Sequence, residues 1–143
     1  MEERSRNYDE LIQNLQLETL FILDSHVKRE EYFNLPADIK IEKEHRFEND
    51  KDKIKAYIQY SLKATEKGKE EPGFSIFIKY LVVYKSKVKM TNDFFSKFAK
   101  TSLIIETWPY FRHYVNETTM NMGLPPLLLN VLPFLRKKKT TKK

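Results

Sequence analysis

Hydrophobic and polar residues alternate along several stretches in the first half of the chain, which is the pattern of strands with one face in a core. The alternation is clearest from Ile54 to Thr65 and is also present from Asp38 to Phe47. From Leu15 to Leu23 the apolar residues alternate at first and then occupy both faces. The cluster Asn-Asp-Lys-Asp at 49–52 predicts a turn that joins two strands into a hairpin, and a loop containing Pro36 is predicted before them.

A fourth strand is predicted from Phe74 to Val88, after a turn between Glu66 and Gly73. This strand has apolar residues on both faces, so it needs cover on both sides. The polar stretch from Met1 to Asn14 is compatible with an arm or a short helix.

The second half of the chain changes to the spacing of amphipathic helices. Thr91-Asn92-Asp93 supplies helix-capping residues, and the helix that follows is expected to end before Pro109. Pro109 suits the first position of a second helix, since its missing N–H has no intrahelical partner there. Gly123 followed by Pro125 predicts the end of that helix. From Gly123 to Leu132 the chain is apolar without helical period, so this segment either covers a core or lines a groove.

This order of elements predicts an α+β domain, with a four-stranded antiparallel meander followed by two helices on one side. We assign residues 1–14 to the N-terminal arm or short helix, 15–135 to the domain and 136–143 to a disordered basic tail. A length of 143 residues fits one domain with a single core.

The net charge of +6 is carried by the tail, because 136–143 (RKKKTTKK) holds six cations and the rest of the chain has 20 basic and 20 acidic side chains. A nucleic-acid-binding module would use this tail and stack bases on aromatics such as Tyr57 or Tyr84. A solvated terminus is the more common role of such a charge run, so nucleic acid is an unlikely partner.

Composition argues against catalysis. The chain has no cysteine, which excludes thiol catalysis, disulfides and thiolate metal sites. His26, His45 and His113 lack the spacing of zinc ligands; only His113 and Glu117 share a helical face, and we expect a solvated pair there and no metal. No glycine-rich phosphate loop or nucleophile motif is present, so we predict neither an enzyme nor a cofactor.

Targeting signals are not evident in the sequence. Nothing at the N-terminus resembles a signal peptide, so a cytoplasmic location is expected. The longest apolar run, 124–135, is interrupted by prolines and is shorter than the ~20 residues that cross a bilayer, so we expect no membrane insertion.

The stretch from Trp108 to Phe134 resembles the C-terminal signature of SecB-type export chaperones. That signature has an aromatic-Pro-Tyr start, a nearby Arg, then Gly-x-Pro-Pro-Leu-x-Leu and a later Phe. It is met at Trp108, Pro109, Tyr110, Arg112, Gly123, Pro125, Pro126, Leu127, Leu129 and Phe134.

The resemblance implies a SecB-like fold and an ATP-independent chaperone, a homotetramer built as a dimer of dimers that holds unfolded polypeptides in hydrophobic grooves. Independently, a strand with two apolar faces and an apolar C-terminal segment leave surface for a partner. The expected client-binding residues are Phe77, Leu81, Trp108, Tyr110, Phe111, Leu124, Leu127 and Leu129. The expected oligomer interface contains Phe94, Phe98 and Ile105.

The identity of the client stays open at this point. SecB-type chaperones contact the SecA motor through acidic surface, whereas this body is neutral and its tail basic, which disfavours SecA as a partner. SecB-like relatives also include chaperones dedicated to one antitoxin, so secretory precursors and an antitoxin are both candidate clients. An oligomeric interaction protein that binds no unfolded chain is the alternative from another class.

Overall fold

The computed structural model describes residues 2–131, with side chains from residue 7 onward. This part of the chain contains, in order, α1 (Glu2–Asn14), β1 (Gln16–Arg29), β2 (Ala37–Asp50), β3 (Lys53–Glu66), β4 (Phe74–Lys85), α2 (Asn92–Phe98), a π-helical segment (Ala99–Leu103) and α3 (Ile104–Asn121). The predicted α+β class with a four-stranded antiparallel sheet is confirmed. The predicted tail at 136–143 lies outside the described residues.

The order of strands in the sheet is β1-β4-β3-β2, and each neighbouring pair is antiparallel. Strands β2, β3 and β4 form a meander, and the predicted turn between β2 and β3 is the residue pair Lys51-Asp52. The expectation that β1 continues this meander is wrong, because β1 pairs with β4 at the far edge of the sheet. Residues 30–36 cross the end of the sheet to reach β2, which makes a Greek key. Strand β4 is therefore central, with a paired strand on each side.

Strand β1 is longer than its hydrophobic pattern indicates, since pairing with β4 continues to Arg29. Nearly all its side chains are exposed, so polar residues such as Asp24 and Lys28 do not interrupt it. Its outer edge has no partner strand among residues 2–131. Edges of this kind are sites at which another chain can add. Large apolar side chains exposed along β1 are Leu17, Phe21, Ile22, Leu23 and Val27.

The core lies between the helices and one face of β3 and β4. On this face every second residue of the two strands is buried, as the alternation predicted. Tyr60 is at its centre, with its ring stacked on that of Phe111 at 4.6 Å between centroids and 13° between planes. The Thr107 hydroxyl donates to the Leu103 carbonyl, so the Tyr60 hydroxyl donates to Thr107 across 2.7 Å. Burial raises the pKa of Tyr60 from its ordinary value of 10 to about 12, so this donor also stays protonated in moderately alkaline solution.

Helix α1 packs on α2 through a few apolar side chains. Tyr8 and Leu11 are buried, and the ring of Tyr8 meets that of Phe94 edge-on at 5.6 Å. Lys97 Nζ lies over the same Tyr8 ring, 4.4 Å from its centroid. The N-terminal residues are thus joined to the helical layer.

The two predicted C-terminal helices form one continuous helical run from Asn92 to Asn121. Thr91 caps its start, because its hydroxyl accepts the Phe94 N–H at 3.2 Å, as the sequence predicted. The expected break before Pro109 is wrong, since this proline lies inside α3. A proline there removes only the bond to the carbonyl of Ile105, and Ile105 is 51% exposed, so water has access to that side of the helix.

The second face of the sheet, which the helices do not cover, is called the open face here. The residues of β3 and β4 that point to it include five lysines, together with Leu81 and Val83, which their neighbours on the sheet bury. Leu81 and Val83 do not belong to the main core cluster. The lysines are Lys53, Lys55, Lys63, Lys79 and Lys85.

Candidate functional site

Residues 124–131 form an extended segment that runs back along α3 and is called the return segment here. It begins at Gly123, whose φ of +77° is the left-handed conformation that closes helices and favours glycine. The N–H of Leu124 donates to the carbonyl of Thr119 at 3.1 Å, which satisfies one of the last carbonyls of α3. The chain thus reverses direction within a few residues.

Three side chains of α3 hold the return segment in place. The Thr119 hydroxyl accepts the Leu127 N–H at 2.9 Å, Arg112 Nε donates to the Leu129 carbonyl at 2.7 Å, and Trp108 Nε1 donates to the Asn130 carbonyl at 2.7 Å. Later residues of the return segment contact earlier residues of α3, so the segment and the helix run antiparallel. Each bond satisfies a backbone group that has no sheet or helix partner.

An open groove of about 410 Å³ lies between β2, α3 and the end of the return segment. Its size falls in the range of sites that take a ligand or a few side chains of a peptide. The lining residues are Ile39, Ile41, Lys43, Tyr60, Trp108, Leu129 and Asn130.

The polar atoms in the groove walls are mostly used inside the protein. The Tyr60 hydroxyl is bound to Thr107, and the Trp108 N–H is bound to the Asn130 carbonyl. Trp108 and Leu129 are only 3% and 5% exposed, so they form a fixed wall. Ile39 and Ile41 are partly buried on the facing strand. The groove therefore offers a ligand polar and apolar surface in similar measure. A ligand that enters it leaves no wall donor of Tyr60 or Trp108 unpaired.

Only two of the eight residues predicted to bind clients line this groove, Trp108 and Leu129. Leu124 and Leu127 lie in the return segment and pack against the core, and Tyr110 is 56% exposed on the outside of α3. Phe77 and Leu81 lie on the open face of the sheet, away from the groove. Their assignment to client binding stays a prediction.

Phe111 and Phe98 are core residues of the single chain. Phe111 is 0% exposed and Phe98 is 2% exposed, so neither presents surface to a client or a second subunit. Both lie on the side of the helical run that faces the sheet, and the helical period alone does not separate core from interface. Of the other predicted interface residues, Phe94 contacts Tyr8 and Ile105 is half exposed.

Sequence reasoning missed the β2 wall of the groove. Ile39, Ile41 and Lys43 are on the face of β2 that is turned to the helices, as their alternation indicates. The alternation does not reveal that β2 is an edge strand, which the helices cover only in part. Tyr60 and Asn130 were also not predicted, and their place depends on the return segment reaching back to Trp108.

Within the part of the chain that the structure describes, no group of three or more His, Cys, Asp or Glu side chains is arranged to hold a metal ion. His113 and Glu117 form an exposed pair with 3.2 Å between Nε2 and Oε1. None of the described helices is long and apolar enough to cross a membrane.

The fold is SecB-like. The SecB-like chaperone Rv1957 of Mycobacterium tuberculosis, solved in complex with a ChAD peptide from the Rv1956 HigA1 antitoxin, has a similar structure with a TM-score of 0.75. The two sequences are 19% identical, and the match covers 89% of this chain and 96% of the mycobacterial one. A Streptococcus agalactiae protein of unknown function matches with a TM-score of 0.37 and 12% identity over 81% of this chain and 96% of its own, which is too low to support an argument. No family model and no curated protein sequence matches the chain.

Replacing Thr119 by valine tests how the groove is built. Valine keeps the shape but removes the acceptor of the Leu127 N–H, so we expect the free energy of unfolding to fall by about 1–3 kcal/mol. Amide hydrogen exchange at Leu127 should become faster, because its N–H loses its partner. The neighbouring Thr118→Val is the matched control, since the Thr118 hydroxyl makes no hydrogen bond to residues 124–131. Unchanged exchange at Leu127 in Thr119→Val would contradict this role.

Proposed function

We propose that this protein is an ATP-independent chaperone of the holdase type, which binds extended apolar stretches of unfolded or aggregation-prone polypeptide in the groove beside β2. The observation that supports this most directly is the groove itself, with walls of Ile39, Ile41, Trp108 and Leu129. The apolar part of this groove gains free energy from many different apolar side chains and does not require one particular sequence. No reaction is proposed for it.

The edge position of β2 adds a second reason. A polypeptide lying along the groove passes beside a strand whose outer side has no partner strand in the described part of the chain. Extended peptides commonly bind such edges, where backbone hydrogen bonds add affinity independent of side chains. The likeness in fold to a SecB-like chaperone solved with an antitoxin peptide is consistent with a polypeptide client. An antitoxin and secretory precursors are both clients within this proposal.

Self-association is proposed together with client binding. Strand β1 exposes five large apolar side chains beside a free sheet edge, which favours a second copy as the cover for this edge. A tetramer is the assembly that the sequence resemblance implies. SecA is not proposed as a partner, because the resemblance implies an acidic contact surface, whereas residues 1–135 carry equal numbers of basic and acidic side chains.

Size-exclusion chromatography with light scattering tests the proposal. The purified protein is run alone and with a reduced, permanently unfolded reporter polypeptide, at low and high salt. We expect a tetramer that co-elutes with the reporter at both salt concentrations, because burial of apolar surface does not depend on charge. A tetramer that ignores the reporter supports the oligomeric interaction protein, and a monomer that does not bind contradicts both. Binding of the reporter that disappears entirely at high salt would contradict an apolar contact in the groove and indicate a purely electrostatic association.

A further inference from the structure

The lining of the groove contains one charged side chain, and this charge forms no ion pair with the described residues. Lys43 lines the groove opposite Tyr60 in the pairing of β2 with β3. It is exposed and makes no ion pair with any of the described residues. Glu42 and Glu44 are adjacent in sequence but point to the open face, where Glu44 accepts a hydrogen bond from Gln59.

Other basic residues are next to residues that line the groove. Arg112 uses Nε to hold the Leu129 carbonyl, and it forms no ion pair with a carboxylate in the described chain. Partial burial lowers the pKa of His45, the next groove-side residue after Lys43, and the charges of Lys43 and Lys100 lower it further. The surroundings of His45 are therefore positive, with two lysines acting on it from β2 and from the π-helical segment.

The carboxylates of α3 do not compensate these charges. Glu106 accepts the Tyr84 hydroxyl at 2.6 Å, and Glu117 is paired with His113. No Asp or Glu is among the residues that line the groove. The charge of Lys43 thus has no carboxylate partner among the described residues. Opposite charge at the rim of an apolar contact selects between partners.

We propose that the groove prefers client segments in which acidic residues flank an apolar anchor, with the anchor between Ile41, Trp108 and Leu129 and a client carboxylate at Lys43. This inference rests on the proposed function, since it specifies which polypeptides the groove takes. The Asn130 side-chain amide, which makes no hydrogen bond among the described residues, is a second donor for the same carboxylate.

Fluorescence anisotropy with three matched peptides tests this preference. The peptides share one Leu-Tyr-Leu anchor in a neutral sequence and differ only in the residues on either side of it, which are Glu, Gln or Lys. We expect the Glu peptide to bind about five-fold more tightly than the Gln peptide and the Lys peptide to bind most weakly, as for exposed ion pairs. The differences should shrink between about 50 mM and about 500 mM salt, where screening becomes strong.

Two charge reversals on the same strand locate the effect. Lys43→Glu should reverse the order, so that the Lys peptide binds more tightly than the Glu peptide. Lys40→Glu is the matched control, because Lys40 is exposed on the open face of β2, and it should leave the order unchanged.

The outcomes separate this inference from the proposed function. Equal affinity of the three peptides would overturn the charge preference and leave the holdase in place. Failure of every peptide to bind would overturn both. If a second copy of the chain fills the groove, Lys43→Glu will change the molar mass measured by light scattering and leave the peptides equal, which also overturns the inference.

Discussion

Phe111→Ala should lower the free energy of unfolding by about 3–5 kcal/mol, the usual loss when a buried phenylalanine is truncated in a core. Phe111 is 0% exposed, stacks on Tyr60 and lies 5.6 Å from Trp108 between ring centroids. Its removal leaves a cavity between α3 and the sheet, next to the wall of the groove. Urea unfolding followed by circular dichroism at one fixed protein concentration measures the change.

The adjacent residue is the matched control for this prediction. Tyr110 is 56% exposed, so Tyr110→Ala should change the free energy of unfolding by no more than about 0.5 kcal/mol. A similar loss in the two variants would mean that Phe111 is not the core residue described here. A concentration-dependent loss in Tyr110→Ala alone would instead place Tyr110 at a subunit interface.

Ile41→Gln should weaken binding of an unfolded polypeptide by about ten-fold or more, the effect of a residue central to a binding site. Ile41 forms the β2 wall of the groove opposite the Trp108 wall. A client that covers this position would bury the glutamine amide without hydrogen-bond partners, which costs free energy only in the complex. The neutral amide is preferred to a carboxylate, because a carboxylate at this position would lie two residues from Lys43 on the same face.

Anisotropy titration with the uncharged Gln peptide measures this effect apart from the charge preference. Leu35→Gln is the control, since Leu35 is 55% exposed in the loop between β1 and β2 and does not line the groove. Ile41→Thr keeps the branched shape that suits a strand and replaces Ile41→Gln if that variant unfolds. Full binding by a folded Ile41 variant would move the client site elsewhere on the protein.

Residues of the stretch that resembles the SecB-type signature act together in the structure. Trp108 donates a hydrogen bond to the Asn130 carbonyl, and Arg112 donates one to the Leu129 carbonyl. Both side chains therefore bind the return segment, which begins with the reversal at Gly123. The spacing of Trp108 and Arg112 on one side of a helix could be read directly. Their target could not, because it depends on the path of the chain after Gly123.

Hydrophobic alternation correctly predicted which face of a strand is buried, but it did not predict which strands are adjacent in the sheet. It placed Ile58 and Leu62 in the core, where both are fully buried. It did not reveal that β1 lies beside β4, because alternation in one strand contains no information about which edge that strand joins. The two apolar faces of β4 indicated a need for cover, and the structure supplies it as helices on one face and close side-chain neighbours on the other.

The sequence by itself determined the elements with strong local signals: the hairpin of β2 and β3, the cap at Thr91 and the reversal at Gly123. These follow from backbone preferences and hydrogen bonds within a few residues. Only the tertiary structure decided the strand order, the continuation of α3 through Pro109 and the groove. The groove is a gap between β2 and residues 129–130, which are far apart in the chain, and its width is set by how the whole sheet packs against α3. Lys43 is a candidate binding residue only because the fold places it in one groove with Trp108 and Leu129, which come from the C-terminal part of the chain.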